Sequence, residues 1–123
     1  MNIVTRELTW RINDRRLREF VSHWDELEAL VINIYRMNDA AAEDEEGHQR
    51  LRDRLRTDYP HWQNALQAHW QGTRVGGEFI REDPFLKILA VQDASAFAGN
   101  WGAMQTLPAA REALNSLLLS LIV

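Results

Sequence analysis

The fold of this chain is decided by residues 13–37, NDRRLREFVSHWDELEALVINIYRM, in which large apolar side chains recur at steps of three and four. This spacing places them along one side of an α-helix, because the helix turns once in about 3.6 residues. The stripe consists of Leu17, Phe20, Val21, Trp24, Leu27, Val31, Ile34 and Tyr35. Asn13 or Asp14 can cap the first turn, and Asn38 with Asp39 can end the helix. The sequence therefore predicts one long helix that buries one side.

Prolines and glycines divide the rest of the chain into four more predicted helices. The second, Ala40 to Thr57, has acids early and arginines late, which complements the helix dipole, and its thin apolar stripe predicts a peripheral position. Pro60 would end it and begin a third helix that stops at Gly72, because proline fits a first helical turn better than an interior. Pro84 begins a fourth helix, to about Ala98, and Pro108 begins a fifth that runs to the carboxyl terminus. We expect the last two at the centre.

These elements predict an all-α, single-domain bundle of about five helices over residues 1–123. The length is usual for one domain. Residues 1–12 are left open, because apolar side chains there alternate in part as in a strand and Arg6 breaks the alternation. Three glycines between Gly72 and Asp83 predict a loop, with room for a short extended piece at Arg74 to Ile80.

Composition excludes several classes of site. The chain has no cysteine, so it can form neither disulfides nor thiolate metal sites. Its 18 acidic and 14 basic residues argue against a nucleic-acid binder. No secretory signal and no apolar run long enough for a membrane span are recognised, so a cytoplasmic location is expected. Phosphate-loop, dinucleotide, nucleophile-elbow and zinc-protease motifs are missing, so no cofactor is predicted and no catalytic signature is recognised; a novel site or one completed by a partner would leave no such motif.

Four arginines alternate with other residues in the stretch 50–56. On a helix they separate to two sides, and two of them, Arg50 and Arg54, have an acid at the spacing that allows an ion pair. Glu46 precedes Arg50 by four residues, and Asp58 follows Arg54 by four. A solvated, partly paired face is therefore favoured over a nucleic-acid groove.

Five tryptophans divide into two groups. Trp24, Trp62 and Trp70 lie on predicted apolar stripes, where a large ring is usually present because it is buried. Trp10 and Trp101 lie in less regular segments and are the better candidates for exposed contacts with a partner.

Four ionisable residues interrupt the apolar stripes of four different predicted helices: Glu28, His48, His69 and Asp93. Two imidazoles and two carboxylates are a ligand mixture found in the metal sites of helical bundles, and Glu45 precedes His48 at a spacing used in di-iron bundles. The chain lacks the second Glu-x-x-His of those sites, so no such family is assigned. The four residues thus have three possible interpretations: a shared metal or acid–base site, a structural polar contact, or simple partial exposure. A kink at Gln92, after which Asp93 would cap a new short helix, is one such structural alternative.

The carboxyl-terminal helix is apolar on more than one side. Leu114 and Leu121 mark its predicted inner side, whereas Leu119 and Val123 point away from it. Either the bundle encloses this helix, or its outer face meets another chain. The predicted interface residues are Trp101, Leu118, Leu119, Ile122 and Val123.

Two functions follow as hypotheses. The first is a non-enzymatic interaction or assembly module, either a homodimer or a module that binds another protein. The alternative is a helical bundle that binds a small ligand or a metal through the His and carboxylate cluster.

Overall fold

A computed structural model describes residues 11–75 and 77–122 of the chain. It confirms the predicted all-α class. Over these residues there are four α-helices, one fewer than the expected number of about five, a short 3-10 helix and two strands of two residues each. In chain order they are α1 (Arg15–Met37), α2 (Ala42–Trp70), β1 (Arg74–Val75), β2 (Glu78–Phe79), α3 (Pro84–Leu89), the 3-10 helix (Ala94–Phe97) and α4 (Trp101–Ile122). Residues 1–10 lie outside the described residues, so neither the conformation of that segment nor the predicted exposure of Trp10 is addressed.

Helix α1 begins and ends where the sequence predicts. The Asp14 carboxylate accepts from the backbone amides of Arg16 and Leu17, at 3.0 and 3.2 Å, so it is the cap. Asn38 closes the helix in the left-handed conformation, with φ 54°, which asparagine tolerates better than most residues. The predicted stripe is buried along the whole helix except for Tyr35, which is half-buried.

Helix α2 runs through Pro60, so the prediction of two helices separated there is wrong. Proline removes the amide that would bond to the carbonyl of Arg56, at a cost of about 3 kcal/mol. Its ring lies on the exposed side of the helix. The turns on both sides bury large side chains in the same core, among them Leu55 and Leu66, and this burial offsets the lost hydrogen bond. The segment expected at the periphery is thus half of a helix that contacts both α1 and α4.

Two further boundaries differ from the prediction. Helix α4 begins at Trp101, where the Asn100 side chain caps it by accepting from the Ala103 amide at 3.1 Å. It then continues through the exposed Pro108. The predicted fourth helix ends early, at Leu89. A separate 3-10 helix follows Asp93, as the alternative of a kink at Gln92 predicts.

The three long helices pack around the short α3. Contacts between their side chains show that α1 is antiparallel to both α2 and α4, since Phe20 meets Tyr59 and Tyr35 meets Trp101. Phe85 of α3 stands at the centre, with its ring centroid 4.8 Å from that of Trp24 and 5.4 Å from that of Tyr59. Trp24, Trp62 and Trp70 are all buried, which confirms the prediction for these three residues.

A small hairpin follows α2. Strands β1 and β2 are antiparallel, with Arg74 paired to Phe79, so the short extended piece expected at 74–80 is present. The Arg74 guanidinium carbon lies 4.3 Å above the centre of the Phe79 ring, an arrangement in which the cation and the ring attract one another. No described helix is long and apolar enough to cross a membrane.

Candidate functional site

The four predicted ligand residues occupy different surroundings. Glu28 pairs with Arg111 of α4, and His48 is buried with its ring 5.6 Å from that of Phe97. Asp93 is exposed, and His69 is half-buried in the last turn of α2. Within the described part of the chain, no group of three or more His, Asp or Glu side chains is placed to hold a metal ion.

Burial determines the chemistry of His48. Desolvation lowers the pKa of His48, and the positive charge of Arg52 acts in the same direction, while Glu45 and Asp93 oppose it. The carboxylates of Glu45 and Asp93 thus act on His48 through their charge, and neither forms a hydrogen bond with it among the described contacts. Since the pKa lies below its ordinary value, the neutral imidazole is favoured. His48 is best described as a buried edge-to-ring partner of Phe97.

One face of α2 holds the segment between α3 and the 3-10 helix. Arg52 Nε donates to the Leu89 carbonyl at 2.7 Å, and the Gln49 amide donates to the carbonyl of Gln92. The Glu45 carboxylate accepts from the backbone amides of Ala94 at 3.1 Å and Ser95 at 2.9 Å. The three α2 side chains are four or three residues apart, so they project in one direction. They provide the hydrogen bonds that a continuous helix would have made.

Glu45 acts as the cap of the 3-10 helix in place of Asp93, whose side chain makes no capping hydrogen bond. The amides of Ser95 and Ala94 lower the pKa of Glu45, because they bind its ionised form. A lowered pKa in the folded protein contributes stability above the ordinary pKa, and this contribution is lost as the pH falls through the folded pKa.

We expect Glu45→Gln to lower the melting temperature most at neutral pH, and the difference from wild type to shrink as the pH falls through the range in which Glu45 titrates. Thermal melts followed by circular dichroism over that range measure this difference. Glu46→Gln is the matched control, because Glu46 is exposed and has no hydrogen bond or ion pair to any described residue. Equal pH dependence in both variants would contradict the role of Glu45.

A buried ion cluster joins α1 to α4. Arg111 Nη2 lies 2.6 Å from Asp25 Oδ1 and 2.8 Å from Glu28 Oε2, and its Nε donates to the same Glu28 oxygen at 3.1 Å. Desolvation raises the pKa of Asp25, and the Arg111 charge opposes this effect. One cation between two carboxylates on adjacent turns fixes the register of the two helices. The sequence prediction identified Glu28 but neither of its two companions.

The arginines of the stretch 50–56 separate to two sides, as predicted. Arg54 forms the expected pair with Asp58, at 3.1 Å. Arg50 instead lies 3.9 Å from Glu26 of α1, so the predicted pairing with Glu46 is wrong. Packing against α1 brings a nearer acid to Arg50 than its own helix does. Arg52 and Arg56, on the other side, have no ion pair with any described residue.

Among the cavities that the described residues line, two open at the surface between helices. The larger, of about 770 Å³, lies between the hairpin, α3 and α4, and both cations and carboxylates line it, including Arg81, Lys87 and Glu82. Mixed charge favours no one kind of ligand. The smaller, of about 370 Å³, lies between α2 and α3, and its only charged lining residues are Arg52 and Arg56. The charged groups that line this second cavity in the described part of the chain are thus all positive.

The predicted interface residues also divide. Trp101 is 61% exposed and its ring lies 6.4 Å from that of Tyr35, while Leu119 is 47% exposed. Leu118 is fully buried within its own chain, so it belongs to the core and not to an outer surface. Ile122 is half-buried, and Val123 lies outside the described residues. Leu121 is 55% exposed, so the prediction that it faces inward is wrong.

Comparison with protein-family models, with curated proteins and with solved structures finds no match to this chain.

Proposed function

We propose that this protein is a non-enzymatic helical module that self-associates through the outer face of α4. The observation that carries the proposal is the placement of two exposed apolar side chains, Trp101 and Leu119, on that helix. They are 18 residues apart, which is five full turns, so they lie on the same face about 27 Å from each other. An exposed face with a large apolar group at each end is suited to a two-fold pairing.

A second copy is the occupant that this spacing favours. If two α4 helices pack antiparallel about an axis that crosses the outer face midway between Trp101 and Leu119, Trp101 of each copy meets Leu119 of the other, and the same contact forms twice. The side chains between them are exposed and more polar, including Gln105 and Glu112. The apolar contacts would then close the two ends of the interface, with water and polar groups at its middle.

The area of such an interface sets its strength. A stable pairing buries at least about 1,000 Å² in total, and one helical face is near the lower end of what is needed. Tyr35 and Met37 lie at the same end of the molecule as Trp101, since Asn38 approaches Gly99 just before α4. Met37 is exposed and Tyr35 half-buried. We expect both to join the contact and the dimer to form at micromolar concentration.

Leu119→Glu is expected to weaken dimerisation on the order of 100-fold, because it places a charge without a partner in the contact. Sedimentation or light scattering over the micromolar range measures the association, and circular dichroism checks that the variant stays folded. Leu121→Glu is the matched control, because this exposed leucine lies two residues away, about 200° around the same helix. A monomeric wild type, or an equal loss in both variants, would contradict the proposal.

A further inference from the structure

We propose that the cavity between α2 and α3 binds a small organic anion, one with a carboxylate or phosphate group attached to an apolar body. The site lies away from the outer face of α4, so the proposal does not depend on self-association. It rests on two neighbouring cations, the buried Arg52 and the exposed Arg56, on the volume of the cavity and on the apolar side chains that line it.

The first argument is the unfinished hydrogen bonding of Arg52. Only 9% of this residue is exposed. Its guanidinium has five N–H donors, and Nε alone has a partner, the Leu89 carbonyl. The four donors on the terminal nitrogens have no acceptor among the described residues. None of these nitrogens is among the fully buried unpaired side-chain atoms of the described residues, so they reach the cavity, where a ligand with paired oxygens could accept from them.

The second argument is the position of Arg56, one turn further along α2. Two like charges four residues apart on a helix repel one another, and Arg56 also has no ion pair with a described residue. Arg50 and Arg54 of the same run do have acidic partners. The neutralised arginines thus face α1, and the two that are not neutralised line the same cavity. An anion between them would relieve the repulsion.

The third argument is what else lines the cavity. Its volume of about 370 Å³ falls in the lower part of the range for small-molecule sites and exceeds what a lone phosphate needs. Tyr59, Leu86 and Leu89 give it apolar wall, and the Gln63 amide adds a neutral polar group. Planar guanidinium groups match the paired oxygens of carboxylates and phosphates.

The Tyr59 ring is held in place for this role. Its hydroxyl donates to Asp83, whose other carboxylate oxygen caps α3 by accepting from the Phe85 amide at 2.9 Å. The ring also stacks against Phe85 and Phe20. A wall fixed by a hydrogen bond and by two rings keeps the cavity open without a ligand, so little reorganisation is needed on binding.

Binding is tested with three probes, inorganic phosphate, phenyl phosphate and benzoate, each added to the full chain while backbone amide resonances are recorded. We expect saturable shifts at Leu89 and Ala90 with phenyl phosphate or benzoate, and weaker binding of inorganic phosphate, which lacks an apolar body. The two organic probes distinguish a phosphate from a carboxylate site. Absence of saturable shifts with all three up to millimolar concentration would overturn the proposal.

Variants locate the site. Arg56→Gln should weaken phenyl phosphate or benzoate at least about tenfold, because it removes a charge-assisted hydrogen bond. Arg50→Gln makes the same change of charge on the side facing α1 and should alter affinity less than about twofold. Both residues are exposed, so both variants should fold. Equal losses would show that the probes sense net charge only, which overturns the site. Ala90→Phe should fill the cavity and abolish binding of the organic probes, and unchanged affinity would overturn the assignment of the apolar wall.

Discussion

Replacing Arg111 with methionine is expected to lower the free energy of unfolding by about 3–5 kcal/mol. Arg111 stands between Asp25 and Glu28, 2.6 and 2.8 Å from their oxygens, and its side chain is only 11% exposed. Without the cation, two carboxylates on adjacent turns of α1 would face one another in a region from which water is largely excluded. Each would lack the charge that compensates its desolvation.

The pH dependence of this loss distinguishes electrostatics from lost packing. Burial raises the pKa of Asp25 although Arg111 opposes the shift. A raised pKa in the folded protein favours folding at low pH, and this contribution is lost as the pH rises through the folded pKa. Without Arg111 the pKa of Asp25 should rise further. The deficit of Arg111→Met should therefore be greatest at neutral pH and smallest below about pH 4.

Urea unfolding at several pH values measures the Arg111 effect, and two further variants test its cause. Arg50→Met removes an exposed arginine that lies 3.9 Å from Glu26, and it should cost less than about 1 kcal/mol. Adding Asp25→Asn to Arg111→Met should restore part of the stability, because only one buried carboxylate remains. A deficit that is constant with pH and is not reduced by Asp25→Asn would show that packing of the arginine stem dominates.

The spacing of apolar residues was sufficient to predict a helix that buries one continuous side, as α1 does. Helix α1 follows its stripe from the Asp14 cap to Asn38 because nothing within it opposes the helical backbone. Proline rules predicted ends at Pro60 and Pro108 that the structure does not have. These rules describe a local cost of about 3 kcal/mol, whereas the continuation of α2 and α4 is decided by burial of side chains on both sides of each proline. Such tertiary gains cannot be obtained from a local pattern.

The candidate sites depended even more on tertiary contacts. His48 interrupts an apolar stripe and is indeed buried, but its companion is the Phe97 ring, which no spacing along α2 could indicate. The roles of Arg52, which lines a cavity, and of Arg111, which joins α1 to α4, can be inferred only once the burial and the partners of each are known. The run of arginines did contain a signal, since Glu46 and Asp58 lie at pairing distance on the side of Arg50 and Arg54, whereas the side of Arg52 and Arg56 has only Asp53, three residues before Arg56. The sequence could not show which side of α2 faces a cavity, because that depends on where α3 packs.

Trp24→Ala is expected to cost about 3–5 kcal/mol, the usual range for truncating a buried aromatic side chain. Trp24 is fully buried on α1, and its ring lies 4.8 Å from that of Phe85, the central residue of α3. The substitution leaves a cavity at the place where the long helices meet the short one. A domain of this size has a total stability of about 5–15 kcal/mol, so the variant should be close to unfolding at ambient temperature.

Two matched variants separate the volume of Trp24 from its polar group and from tryptophan content in general. The indole Nε1 of Trp24 has no acceptor among the described residues, so Trp24→Phe loses volume but no hydrogen bond and should cost less than half as much as Trp24→Ala. Trp101→Ala removes a ring that is 61% exposed and should change stability by less than about 1 kcal/mol. Urea unfolding monitored by circular dichroism ranks the stabilities of the three variants. Because Trp101 belongs to the proposed interface, the protein concentration is chosen so that wild type and variants have the same association state. If Trp24→Ala unfolds at the wild-type midpoint, Trp24 does not hold α3 against α1, and the core must be centred elsewhere.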